Sequence, residues 1–156
     1  MAGFPWQADT NRGGTLRFAP DPDSLWRHFL AISNELSAPR LVICPSDRDR
    51  RPARTWAEFN DNHFLSYALG FTANEETPDS VLATDRNVLL DGSPLANAIV
   101  SFPSNANVAF DQRIHFNAGN VLLGDGSVQQ LSSDRLREAF RDAHIALGTN
   151  QTLAFP

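Results

Sequence analysis

The sequence contains no lysine, so all 13 of its basic residues are arginine. Against them stand 18 acidic residues, and the net charge is −5. Proteins that bind nucleic acid without sequence specificity neutralise many phosphates with lysine and arginine. The charge balance of this chain therefore predicts that it has no nucleic-acid partner.

Cysteine is nearly absent as well. Cys44 is the only one in the chain, which excludes an intrachain disulfide. It follows the apolar run 41–43 and precedes Pro45. This setting favours a buried thiol at the end of a strand over a reactive nucleophile, which needs a low pKa and a partner base.

Long apolar runs are also missing. A membrane-spanning helix needs about 18 or more consecutive apolar residues, and no segment of the sequence provides them. The chain does not open with a charged and then apolar signal segment either. Met1-Ala2-Gly3 is consistent with a start introduced by cloning, and we expect that an upstream segment has been removed.

What is present fits one globular domain. The chain has 156 residues, of which 42% are apolar, and its eleven phenylalanines can supply much of a core. Glycine, proline and polar residues dominate positions 1–22, which predicts an irregular lead-in. We expect residues 149–156 to form a loosely held tail, as terminal residues often do.

The pattern of apolar residues predicts an α+β fold. Four of them recur at helical spacing between Ser24 and Pro39, which indicates one helix over residues 24–36; they are Leu25, Phe29, Ile32 and Leu36. Short apolar runs separated by turn residues then predict a single antiparallel sheet over residues 63–131. We expect the N-terminal helix to pack on this sheet and a C-terminal helix to follow it.

The clearest local signals lie near the C-terminus. Asp125-Gly126 stands between two strand-like runs and predicts a hairpin turn, because glycine accepts a positive φ angle without steric cost. Ser132 or Ser133 can cap the last helix, and Gly148 is a natural end for it.

Several segments together resemble one protein family. The segment 115–128 begins with His115, continues with nine residues and then has Asp-Gly, and it resembles the H-X9-DG motif of a large group of bacterial prepilin-type proteins. Segment 41–47 is similar to the "CPSD" segment of that group, Ser66-Tyr67 to its "SY" segment, and 82–87 to its "GDRN" segment, with Thr84 in place of the expected glycine. The motif residues, as we call them below, are Cys44, Pro45, Asp47, Asp85, Arg86, Asn87, His115, Asp125 and Gly126.

The resemblance implies a structural protein rather than an enzyme. Members of this group resemble pilins and pseudopilins, the subunits of type IV pili and of type II secretion pseudopili. An N-terminal apolar helix anchors them in the inner membrane after cleavage by a prepilin peptidase, and the head lies in the periplasm or outside the cell. We therefore expect a pilin-like soluble head whose apolar helix is missing. Its expected partners are other pilin-like subunits and the assembly machinery, with membrane contact only through the missing helix.

The sequence assigns no catalytic, cofactor-binding or metal-binding residue. His115 has no second histidine at ligand spacing, and the four histidines are scattered. We expect His115 to end a strand and to be tied to the hairpin that follows, roughly 13–17 Å from Asp125, which makes the motif architectural. A calcium site remains an alternative, with oxygen ligands from turns at Asp85, Asn87, Asp91 and Asp125.

Two other classes of function remain open. An extracytoplasmic module that binds a carbohydrate or another substrate would expose aromatic side chains in a groove, and Trp6, Trp26 and Trp56 are the candidates. An enzyme would need a pocket with convergent titratable groups. No G-x-S-x-G nucleophile elbow and no phosphate-binding loop occurs in the sequence.

Overall fold

A computed structural model describes residues 3–156, and most of its regular structure is antiparallel β-sheet. The strands are β1 (Tyr67–Gly70), β2 (Val81–Asp85), β3 (Val88–Leu90), β4 (Ser93–Pro94), β5 (Ala98–Phe102), β6 (Val108–Phe110), β7 (Ala118–Leu123), β8 (Val128–Ser132) and β9 (Gln151–Phe155). The α-helices are α1 (Leu25–Leu30), α2 (Ser33–Leu36) and α3 (Ser133–Leu147). Within the described range the strands form a six-stranded sheet, in the order β5-β9-β1-β2-β7-β8, and a three-stranded sheet, in the order β4-β3-β6.

Both faces of the six-stranded sheet are covered. On β1, Ala68 belongs to one hydrophobic core and Leu69 to another. On β9, Leu153 belongs to the same core as Ala68, and Ala154 to the same core as Leu69. Successive side chains of a strand point to opposite faces, so each face of the sheet carries its own core. One core lies under α3 and the three-stranded sheet and includes Val88, Phe102, Val108, Phe110, Leu136 and Phe140. The other is built with the N-terminal segment and includes Trp6, Leu25, Phe29 and Phe59.

The predicted α+β class, with an N-terminal helix packed on the sheet, is wrong. The expected helix over 24–36 is divided into α1 and α2, because Ile32 leaves the helical region at φ −108° and ψ 22°. Isoleucine, serine and asparagine are weak helix formers, and they follow one another at positions 32–34. The short α1 has the 3-10 turns around it as its main neighbours rather than a strand of the sheet.

The predicted single sheet over 63–131 is also wrong. β6 and β7 belong to different sheets, and a loop over 111–117 separates them. The residue types of Asn117-Ala118-Gly119-Asn120 favour a turn, but the segment enters β7 at Ala118. Alternation of apolar and polar residues identifies strands without specifying which strands pair, so it does not separate one sheet from two.

Residues 3–22 and 149–156 are both more regular than the sequence indicates. The tail expected to be loose forms β9, which lies between β5 and β1 with Leu153, Ala154 and Phe155 buried. The Gln151 side chain accepts a hydrogen bond from the backbone N–H of Val81 at 2.8 Å. In the lead-in, Met1 and Ala2 lie outside the described residues, and the rest forms short 3-10 turns that bury Trp6.

The hairpin turn and the helix caps predicted near the C-terminus are confirmed. β7 and β8 form a hairpin whose turn contains Asp125 and Gly126, and Gly126 has φ +84°. The Ser132 side chain accepts a hydrogen bond at the start of α3, and Gly148 ends the helix in the left-handed conformation. Among the residues that the structure describes, no helix is both long enough and apolar enough to cross a membrane.

The burial of His28 makes the stability of the N-terminal core depend on pH. Its ring lies edge-on to Trp6 and Phe71, with ring centroids 6.4 and 5.2 Å away, and Nδ1 lies 2.6 Å from Thr15 Oγ1. Nε2 is buried without a hydrogen-bond partner. Burial lowers the pKa of His28 from 6.5 to about 4, so the folded protein keeps this ring neutral.

We predict a loss of stability in mild acid that depends on His28. Because the folded-state pKa lies below the unfolded value, the contribution is complete above pH 6.5 and is lost as pH falls towards about 4. The free energy of unfolding should fall by up to about 1.4 kcal/mol per pH unit in this window. Urea denaturation at a series of pH values should show that the His28→Gln variant lacks this dependence of the free energy of unfolding on pH. The His63→Gln variant, which is changed at an exposed position, should retain it. Equal slopes in the wild type and His28→Gln would contradict the prediction.

Candidate functional site

All the motif residues except Asp125 and Gly126 meet in one region of the fold. Cys44, Pro45 and Asp47 lie in the loop after the 3-10 turn Pro39–Val42. Asp85 is the last residue of β2, and Arg86 and Asn87 connect it to β3. His115 lies in the loop between β6 and β7. The region has two neighbouring parts, the Asp47–Arg86 network and the Cys44–Asp85–His115 cluster.

A tight turn holds Cys44 of the cluster and Asp47 of the network at its two ends. The backbone N–H of Asp47 donates to the carbonyl of Cys44 at 2.9 Å. Pro45 occupies the second position of this turn, where its fixed φ angle is favoured. The side chains of Cys44 and Asp47 are both buried, whereas Pro45 is exposed. Pro45 therefore acts through the backbone.

The Asp47–Arg86 network is a buried, bidentate ion pair with additional polar contacts. Arg86 Nε lies 2.6 Å from Asp47 Oδ2, and Arg86 Nη2 lies 2.7 Å from Asp47 Oδ1. The two side chains are 5% and 1% exposed. Ser66 Oγ donates to Asp47 Oδ2 at 2.9 Å, and Asp49 Oδ2 accepts from Arg86 Nη2 at 3.3 Å.

These contacts keep both members of the pair ionised. Burial alone would raise the pKa of Asp47, but the hydrogen bonds from Arg86 and Ser66 outweigh it and hold the pKa below its ordinary value. Burial likewise opposes the charge of Arg86, and the Asp47 carboxylate more than compensates, so the pKa of Arg86 is raised.

The network joins three segments that are distant in the sequence. The backbone N–H of Ser66 donates to Val42 at 3.0 Å, and the backbone N–H of Arg86 donates to Ser66 at 2.9 Å. These bonds connect the loop that carries Asp47 to the segments at the start of β1 and the end of β2. The side chains add the ion pair to the same junction, which is therefore an internal cross-link.

Asn87 positions the loop that carries His115. Its side-chain amide donates to the carbonyls of Asp111 and Ala118, at 3.0 and 3.2 Å, on either side of His115. Phe116 and Asn117 in this loop have positive φ angles of 53° and 65°. Residues other than glycine adopt this conformation at a cost, which the surrounding contacts must offset.

The Cys44–Asp85–His115 cluster brings three different ligand types together. Cys44 Sγ lies 3.3 Å from His115 Nε2, and Asp85 Oδ2 lies 3.5 Å from the same nitrogen. The ligand atoms of all three side chains lie within 4.8 Å of one another. Cys44 and Asp85 are buried, and the His115 side chain is 20% exposed.

Asn120 orients the cluster from β7. Its backbone N–H and its side-chain amide both donate to Asp85 Oδ2, at 2.6 and 3.1 Å. The same side-chain nitrogen lies 3.2 Å from His115 Nε2. The second carboxylate oxygen, Asp85 Oδ1, is buried and has no hydrogen-bond partner.

Burial sets the protonation preferences of the cluster. It raises the pKa of Asp85, and the opposing effects of Asn120 and His115 do not cancel the rise. Burial also raises the pKa of the Cys44 thiol, and the nearby Asp85 carboxylate adds to the effect. A thiol with a raised pKa is a poor nucleophile because the thiolate is the reactive species.

Asp125 and Gly126 lie apart from this region. Asp125 is exposed in the hairpin turn, where Oδ1 accepts a hydrogen bond from the backbone N–H of Ser127 at 2.8 Å. The calcium ligands considered from the sequence do not come together. Asp91 is exposed in the turn between β3 and β4, Asp125 lies in the other hairpin, and the metal-type cluster in the described chain contains neither.

The tryptophans pack into the fold rather than forming an exposed aromatic platform. Trp6 is buried, and Trp26 and Trp56 are half-buried. Trp26 and Trp56 both make edge contacts with the buried Phe59, with ring centroids 6.5 and 5.2 Å away. The candidates for a sugar-binding surface are therefore largely committed to the N-terminal core.

The sequence indicates the motif positions but not the cluster. His115 has no second histidine at ligand spacing, and the three members of the cluster come from separate segments at 44, 85 and 115. Asn120 and Ser66 were not considered as site residues. Cys44, Asp85 and His115 each belong to a different one of the segments that resemble the prepilin-type family. That shared resemblance is the feature of the sequence from which their proximity could have been suspected.

Breaking the Asp47–Arg86 pair should be strongly destabilising. We predict that Arg86→Met lowers the free energy of unfolding by about 3–5 kcal/mol, because it leaves the Asp47 carboxylate buried and unpaired. The double variant Asp47→Leu/Arg86→Met should be more stable than Arg86→Met alone. Chemical denaturation measures both effects.

The more exposed Asp111–Arg113 ion pair is the matched control. Arg113→Met should change the free energy of unfolding by no more than about 1 kcal/mol. An Arg86→Met variant that is as stable as Arg113→Met would show that the buried pair does not hold the fold together.

Comparison with protein-family models, curated proteins and solved structures finds no match for this chain. The resemblance to prepilin-type proteins therefore rests on the motif residues. In the fold, all of these residues except Asp125 and Gly126 lie in one region.

Proposed function

We propose that this chain is the head domain of a pilin-like structural subunit from a type IV pilus-like or type II secretion pseudopilus-like filament. The observation that carries the proposal is the convergence of the motif residues, except Asp125 and Gly126, on an internal junction. In an enzyme or a binding module, distinctive residues are expected to face a pocket. Here Asp47 and Arg86 face each other, and their hydrogen-bonding groups are directed at neighbouring protein atoms.

The geometry of the cluster supports a non-catalytic role. In a nucleophile–base–acid relay, the two ring nitrogens of the histidine contact different partners. In this protein, Cys44 Sγ and Asp85 Oδ2 both lie against Nε2 of His115. The raised pKa of the Cys44 thiol also opposes nucleophilic catalysis.

The proposal includes the location and the partners of the full-length protein. An apolar helix upstream of this chain would anchor the subunit in the inner membrane and place the head in the periplasm or outside the cell. The partners would be other pilin-like subunits and the assembly machinery. A head of this kind needs a rigid fold, which the Asp47–Arg86 network supplies by joining three segments.

The native gene upstream of the Phe4 codon tests the proposal. We predict that the reading frame continues upstream and encodes a prepilin cleavage site followed by about 20 apolar residues. The tagged full-length protein should fractionate with the inner membrane, and the mass of its mature N-terminus should show cleavage. An in-frame stop codon shortly upstream of the Phe4 codon, with the tagged protein in the cytoplasmic fraction, would contradict the proposal.

A further inference from the structure

The Cys44–Asp85–His115 cluster has a geometry that the architectural role of the motifs does not require. A buried thiol, a buried carboxylate and a partly exposed imidazole direct their ligand atoms to one small volume. We propose that Cys44 Sγ, one carboxylate oxygen of Asp85 and His115 Nε2 bind one Zn²⁺ ion. This inference stands independently of the proposed filament function.

Two distances within the cluster are close to those of a tetrahedral zinc site. With Zn–S of about 2.3 Å and Zn–N and Zn–O of about 2.0–2.2 Å, sulfur lies roughly 3.6 Å from nitrogen and nitrogen roughly 3.4 Å from oxygen. The corresponding distances in the structure are 3.3 and 3.5 Å. The third pair, Cys44 Sγ and the Asp85 carboxylate oxygen, lies within 4.8 Å, against roughly 3.6 Å in a tetrahedral site, so binding of the ion would draw these two ligands together.

The donor set selects the ion. One sulfur, one imidazole nitrogen and one carboxylate oxygen suit zinc, a borderline-soft cation, whereas calcium and magnesium prefer sites built from oxygen. The three protein ligands leave a fourth position open. A water molecule can fill it from the side on which the His115 ring is exposed.

The unpartnered carboxylate oxygen points to a missing cation. Asp85 is completely buried, and Oδ1 has no hydrogen-bond partner although Oδ2 accepts two hydrogen bonds from Asn120. Buried polar atoms are nearly always satisfied in native proteins, and an unsatisfied one needs an explanation. A bound Zn²⁺ would balance the buried carboxylate.

The fold holds all three ligands in place from outside the cluster. The turn from Cys44 to Asp47 is fixed by the adjacent ion pair, and Asp85 is paired with Tyr67 across β1 and β2. Asn87 fixes the two ends of the loop that carries His115. Asn120 then orients the Asp85 carboxylate, as polar neighbours of metal ligands commonly do.

Cobalt substitution tests the site in the folded protein. Protein stripped with a chelator should take up one equivalent of Co²⁺ and show a sulfur-to-cobalt charge-transfer band in the near ultraviolet and tetrahedral d–d bands in the visible. One equivalent of Zn²⁺ should remove these bands, and millimolar Ca²⁺ should not. Absence of binding, absence of the charge-transfer band or displacement by Ca²⁺ would each overturn the proposal.

Variants assign the ligands. Cys44→Ser should abolish the charge-transfer band, and both Cys44→Ser and His115→Gln should weaken zinc affinity at least about tenfold in a chromophoric chelator competition. Asp125→Asn, in the same sequence motif but outside the cluster, and His63→Gln should bind as the wild type does. Unchanged affinity in Cys44→Ser and His115→Gln would overturn the assignment. The wild-type cobalt spectrum remains decisive should a variant fail to fold.

Discussion

The fold depends on a buried ion pair between Asp47 and Arg86. Two charges are removed from water there, which costs several kcal/mol for each ion unless the geometry and the remaining hydrogen bonds are nearly ideal. The contact is bidentate at 2.6 and 2.7 Å, and Ser66 and Asp49 occupy further positions around it. Once formed, the pair locks the loop after residue 42 to the segments at the start of β1 and the end of β2.

The same backbone that builds the ion pair builds the neighbouring cluster. Cys44 and Asp47 lie at the two ends of one turn, and Asp85 and Arg86 are adjacent in the chain. Fixing Asp47 against Arg86 therefore also fixes Cys44 relative to Asp85. A rigid junction is what a structural subunit needs, and it is also what a preorganised zinc site needs. The pilin-like head and the zinc site therefore depend on the same junction, and different experiments test them.

Features that depend on residues close together in the sequence could be predicted, whereas features that depend on contacts between distant segments could not. The Asp125-Gly126 turn and the caps of α3 follow from local chemistry. The tail at 149–156 and the division into two sheets depend on pairing between strands far apart in the chain, which periodicity does not reveal. For the site, resemblance identified motif residues such as Asp47, Arg86 and His115. Their contacts with one another required the fold, because no spacing rule connects positions 44, 85 and 115.

If the fold depends on the Asp47–Arg86 junction, this region should open only when the whole protein unfolds. Native-state hydrogen exchange tests it directly, because amides in such a region exchange only through global unfolding. The backbone N–H groups of Ser66 and Arg86 bond across the junction at 3.0 and 2.9 Å. Their free energies of exchange should equal the global free energy of unfolding and exceed those of the amides in the edge strand β8. Exchange at Ser66 and Arg86 as fast as in β8 would show that the junction opens without global unfolding and that the fold does not depend on it.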